Sequence, residues 1–140
     1  MLRKVLVGIT LLMSADTALA APGSYLCTAD RTTGFTFKDG SWKQGNFNPD
    51  MKVLLKQQND NEWRMIILGQ AGSNLCTTQT DVISKHEEIV CISSLYTSVT
   101  LKMDKVTLRF LFSSLAGYYD GKDNDNSDTP LISIGKCSPL

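Results

Sequence analysis

Apolar and polar side chains alternate at every second position along much of this chain, which is the spacing of half-buried β-strands. Met51, Val53 and Leu55 alternate with Lys52 and Lys56. After a polar connection at 57–61, Trp63, Met65 and Ile67 repeat the pattern, while Ile66 and Leu68 make the end of that run apolar on both faces. A central strand or an exposed apolar patch gives such a run. Val99, Leu101 and Met103 form another strand, Asp104-Lys105 turns the chain, and Val106, Leu108, Phe110 and Phe112 alternate in reply.

Nearer the amino terminus, Ser24-Tyr25-Leu26-Cys27 suits a short first strand, and residues 30–34 read as a turn in which Gly34 can take positive φ. Phe35 and Phe37 then share one strand face. Asp39-Gly40 is a strong hairpin signal, because both central residues of a tight type I′ turn need positive φ. Residues 42–47 return from it, with Gly45 a candidate bulge and Asn48-Pro49-Asp50 the stop. The middle is less regular: 69–80 is polar, 81–88 is one helical turn or a loop, and 89–92 is a short buried strand carrying Cys91. At the end, Gly117-Tyr118-Tyr119 closes a run, an acidic loop spans 120–128, and 130–137 returns extended to a terminal cysteine.

Turns every 8 to 12 residues or so, with β-branched and aromatic enrichment, predict an all-β domain: a small antiparallel barrel or sandwich of about eight short strands. The expected core is Phe35, Phe37, Val53, Leu55, Met65, Ile67, Leu101, Leu108 and Phe110.

The first twenty residues read differently. Arg3 and Lys4 precede the apolar run 5–13, and Ala18-Leu19-Ala20 supplies the small-x-small pattern of a signal peptidase site. The run is shorter than the roughly 20 apolar residues that cross a bilayer. Residues 1–20 are therefore expected to be a signal peptide and residues 21–140 a single β-rich domain, periplasmic or secreted, with no membrane insertion after cleavage. The whole chain has 14 basic and 14 acidic residues, so losing Arg3, Lys4 and Asp16 leaves a net charge of −1. Without a basic block, nucleic acid has no electrostatic footprint to follow.

The chain has four cysteines, Cys27, Cys76, Cys91 and Cys137, all beyond the leader. An even count in a short exported chain reads as two disulfides, and four cysteines allow three pairings. The preferred pairing is Cys27 with Cys137, which clamps both chain ends, and Cys76 with Cys91, which closes a local loop. A four-thiolate zinc site lacks any Cys-x-x-Cys spacing here.

The arrangement Cys27-x-x-Asp30-x-x-x-Gly34-Phe35-x-Phe37, then Trp42 and Phe47, Arg109-Phe110, Gly117-Tyr118, and finally Thr129-Pro130 with Ile134-Gly135-Lys136-Cys137, resembles a set of small exported proteins of proteobacteria and their prophages. The likeness spans nearly all of the chain after the leader, and its most specific piece is the ending Gly-Lys-Cys-Ser-Pro-Leu. That set has no assigned activity. The resemblance implies a bacterial periplasmic setting and nothing about catalysis.

Chemistry is sparse. His86 is the only histidine, and the run His86-Glu87-Glu88-Ile89-Val90 lacks the second histidine of a His-Glu-x-x-His zinc helix. A solvated loop histidine is the plainer reading, and no catalytic residue, cofactor or metal site is assigned. The acidic loop packs Asp120, Asp123, Asp125, Asp128, Asn124 and Asn126 into nine residues. A cation would need six to eight such oxygens, but the glycine and bidentate glutamate of the helix-loop-helix calcium site are missing. Trp42, Trp63, Tyr118 and Tyr119 are candidate contact aromatics. Adjacent tyrosines on a strand point to opposite faces, so at least one of the pair should reach solvent. The expected function is a non-catalytic binding protein, an inhibitor or immunity-type protein against a hydrolase or toxin. Its binding residues would be Tyr118, Tyr119, Asp120, Asp123, Asp125 and Asp128, and its partner another protein. The alternative is a small cell-envelope hydrolase acting on glycan or peptide.

Overall fold

A computed structural model describes residues 23–93, 99–118, 121, 123 and 129–140. The expected leader at 1–20 lies outside the described residues, as do Tyr119, Asp120, Asp125 and Asp128.

Nine antiparallel strands form among the described residues: β1 (Ser24–Lys38), β2 (Ser41–Phe47), β3 (Lys52–Gln57), β4 (Glu62–Ile67), β5 (Asn74–Thr80), β6 (Glu87–Ser93), β7 (Val99–Asp104), β8 (Arg109–Ser114) and β9 (Leu131–Pro139). From β3 to β9 each strand pairs with the next, and β1 lies between β3 and β9, so these eight close into a barrel. Closure leaves those eight strands without an open edge along their shared length. The ninth strand, β2, pairs only with residues 32–38 of β1. Since β9 holds the other side of β1 as far as Gly34, β2 continues along the side that β3 occupies at residues 24–28. The β1–β2 hairpin thus extends past the rim of the barrel.

The interior is filled by side chains that alternate inward. Leu55, Trp63, Met65, Ile89, Leu101 and Met103 are fully buried, with Phe110 and Phe112 beside them. Both disulfides lie in this core. Cys27 faces Cys137 directly across β1–β9, and Cys76 faces Cys91 across β5–β6, with sequence separations of 110 and 15. The expected pairing is the observed one, and of barrel and sandwich the fold is the barrel. Stable disulfides belong to an oxidising compartment. Among the described residues no helix is long and apolar enough to cross a membrane.

One glycine sets how tightly the barrel closes. Gly135 sits opposite Phe110 on β9, and a Cβ there would overlap the Thr28 carbonyl and stand 2.6 Å from the Phe110 ring. Only glycine lets β1 and β8 crowd β9 in this way.

Several expectations need correction. Residues 30–34 are not a turn; they lie within the continuous strand β1, and Gly34 is glycine because a Cβ would overlap the Pro130 carbonyl. The register of β1 on β9 shifts between Ala29 and Arg31. This bulge inserts one residue, so odd positions (Cys27, Ala29) point inward before it and even ones (Thr32, Gly34) after it. Phe35 and Phe37 therefore turn outward, and Phe35 is 49% exposed instead of buried. Thr32 takes an inward place and bonds Ser133 at 2.8 Å inside the barrel. Leu108 and Ile67 are half-buried against the core, not within it. The strand expected from Val106 begins at Arg109, because Leu108 has φ 58° and still belongs to the turn. Gly45 pairs in regular register with Gly34 and makes no bulge. Of the two readings of 81–88, one helical turn or a loop, the loop holds as far as His86, closed by Asp81 Oδ1 accepting from the N–H groups of Ile83 (2.9 Å) and Ser84 (2.7 Å), but β6 already begins at Glu87.

Candidate functional site

The protruding hairpin and the acidic loop meet at one residue. Asp39 (φ 52°) and Gly40 (φ 74°) make the expected tight turn, which sets Trp42 opposite Phe37 across β1–β2. Their rings meet edge-on with centroids 5.6 Å apart. The indole of Trp42 also meets the ring of Tyr118 edge-on, at 5.4 Å. Its Nε1–H donates to Asp123 Oδ1 at 2.6 Å. Edge-to-face aromatic pairs and hydrogen bonds to a carboxylate are each directional, so the three contacts fix the indole plane and tie the loop to the hairpin. Within the loop, Asp123 N–H donates to the Gly121 carbonyl at 3.0 Å, with Gly121 at φ 73°.

Of the residues expected to bind a partner, Tyr118 and Asp123 are thus brought together, and Tyr118 is 64% exposed. Tyr119, Asp120, Asp125 and Asp128 continue the same segment outside the described residues. The two tryptophans divide: Trp63 is core, whereas Trp42 is half-buried at the rim. Phe35 and Phe37 join this surface although both were expected inside. Beside the aromatic cluster, Phe35, Gln44, Leu115 and Ile132 line a shallow apolar cleft of about 150 Å³. The arrangement offers a preshaped aromatic surface with the Asp123 carboxylate at its edge, which suits contact with a cationic or apolar partner surface.

The other polar cluster lies at the turn between β7 and β8. Asp104 Oδ1 accepts from the N–H groups of Val106 (2.8 Å) and Thr107 (2.7 Å), and Oδ2 meets His86 Nδ1 at 2.8 Å. The hydrogen bond from Thr107, then that from His86, holds the Asp104 carboxyl down at about 2. A carboxylate depressed by the fold stabilises it above the unfolded pKa near 3.8, and that contribution fades as pH falls toward 2. Asp104→Asn is therefore expected to lower the melting temperature at neutral pH and to flatten its fall between about pH 4 and pH 2. Thermal melts of both proteins across that range check it; parallel curves would contradict it.

Among the described residues the His86 ring is bonded to no hydroxyl or thiol; Ser84 Oγ instead accepts from the His86 backbone N–H. Nucleophilic catalysis needs a nucleophile within hydrogen-bond reach of its base. No three His, Cys, Asp or Glu side chains among the described residues gather as a metal-ligating group. Asp104 closes the β7–β8 turn through one carboxylate oxygen and meets His86 through the other.

No family model matches the chain, and no curated protein or solved structure is significantly similar to it.

Proposed function

We propose that the chain is a non-catalytic binding protein, periplasmic or secreted, that engages a basic surface of another protein through the rim built on Trp42. A hydrolase or toxin that it inhibits is the partner class. The observation that carries this reading is the joint grip of Trp42 on Tyr118 and Asp123. A loop held before binding has less freedom to lose on association. Exposed Tyr118 and Phe35 supply apolar anchors, and the aspartates of the segment would speed encounter with a cationic cleft. Two buried disulfides, the signal-like leader and the resemblance to exported proteobacterial proteins support this setting.

The test is a paired capture. Wild-type protein and the Tyr118→Ala/Asp123→Asn variant, matched for melting temperature, are immobilised and exposed to periplasmic extract at low and high salt. A protein retained by the wild type, lost by the variant and weakened by salt supports the proposal. Equal retention by both would remove the rim from the account. Clearing of cell-wall material in a zymogram by the purified protein would replace it with the alternative, an envelope hydrolase.

A further inference from the structure

A second surface lies on the outer face of β8 and β9 and runs up to the small cleft beside the Trp42 contacts. Arg109 and Lys136 are direct cross-strand partners, and both point outward. Like charges placed opposite each other work against the pairing of the strands that carry them. Neither side chain makes an ion pair or hydrogen bond among the described residues. They line a groove of about 520 Å³, together with Lys102. Its acids are mostly engaged: Glu88 accepts from Gln79 and Lys102, and Asp104 is held by its turn and His86. Asp30 is the remaining acid of the lining.

From the cations the face runs on as an apolar stripe. Leu111 and Ile134 are the next outward cross-strand pair, 45% and 49% exposed, then Ile132, and finally Leu115 beside the small cleft at Phe35. From Arg109 to Leu115 the stripe measures about 20 Å, the length of six extended residues.

We infer that this face is a docking site for an extended peptide segment of a partner protein, with a carboxylate at one end seated on Arg109 and Lys136 and apolar side chains lying along Leu111, Ile134 and Ile132. Charge complementarity selects the occupant. A single carboxylate is matched by the unpaired Arg109 and Lys136, whereas a sheet of anionic headgroups would also meet Asp30, Glu88 and Asp104, which line the same groove. A second copy of the same face, turned by a two-fold axis, would set cations against Leu115 and Phe35, a pairing with no electrostatic gain.

A fluorescent peptide, Asp-Asp-Leu-Thr-Leu-Thr, tests this by anisotropy titration and amide chemical-shift mapping. Shifts should concentrate at 109–115 and 131–136, and replacing both aspartates of the peptide by asparagine should weaken binding about tenfold. Arg109→Gln/Lys136→Gln should weaken the original peptide by a similar factor while leaving the melting temperature equal or higher, since a repulsive pair is gone. Equal binding of both peptides, shifts elsewhere on the barrel, or a clear drop in melting temperature for the variant would overturn the inference. So would sedimentation with phosphatidylglycerol vesicles in the absence of any peptide binding, which would assign the face to membrane.

Discussion

Replacing Cys27 and Cys137 together by alanine is expected to lower the unfolding free energy by about 4–5 kcal/mol. The disulfide joins positions 110 residues apart, and in the chain-entropy model a loop of that length stabilises by about 4.7 kcal/mol through the freedom it removes from the unfolded chain. It also sits where the barrel closes, on the β1–β9 seam, so its loss frees the one pairing made between chain ends rather than within a meander. The Cys76–Cys91 bridge spans 15 residues within a single hairpin, and its removal should cost about 3 kcal/mol. Urea unfolding of the two double variants checks the order. Equal losses, or a larger one for the hairpin bridge, would contradict the closure argument.

Trp63→Ala should cost about 3–5 kcal/mol, whereas Trp42→Ala should cost less than about 1 kcal/mol. The same residue type thus has two roles. Trp63 is 2% exposed, packs at 5.6 Å from the Tyr25 ring, and donates through Nε1 to Thr78 Oγ1 at 3.0 Å. Truncation would open a cavity in the barrel and leave the Thr78 hydroxyl without its donor. Trp42 is half-buried at the rim, where water replaces most of what is lost. Comparable losses measured by urea unfolding would mean that the hairpin is part of the barrel core and not an extension of it.

The fold was largely legible because a closed meander needs little beyond alternation, turns and two cysteine pairs. Met51 to Leu55, Trp63 to Ile67 and Val99 to Met103 each carry their inward faces openly. What was hidden has specific causes. The bulge between Ala29 and Arg31 leaves no compositional mark, yet it reverses the facing of every later residue in β1 and moves Phe35 and Phe37 from core to surface. The strand β5 was missed because its inward positions are Cys76 and Thr78, while its one large apolar residue, Leu75, points to solvent. Val106 and Leu108 continued the period of β8 into a turn, since apolar spacing cannot register a positive φ. That at least one of Tyr118 and Tyr119 reaches solvent, and that Asp123 lies in a loop, could be read from the chain. The joint hold of Tyr118 and Asp123 by Trp42 could not, because it depends on a contact between residues 81 positions apart.

The central claim, that the protein works by binding through the rim at Trp42, is tested most directly by hydrogen–deuterium exchange on a complex with the captured partner. The account predicts slowed exchange confined to the β1–β2 hairpin at 35–47 and the loop segment at 115–123. Slowing centred instead on the turn that carries His86 and Asp104, with the hairpin unchanged, would contradict it.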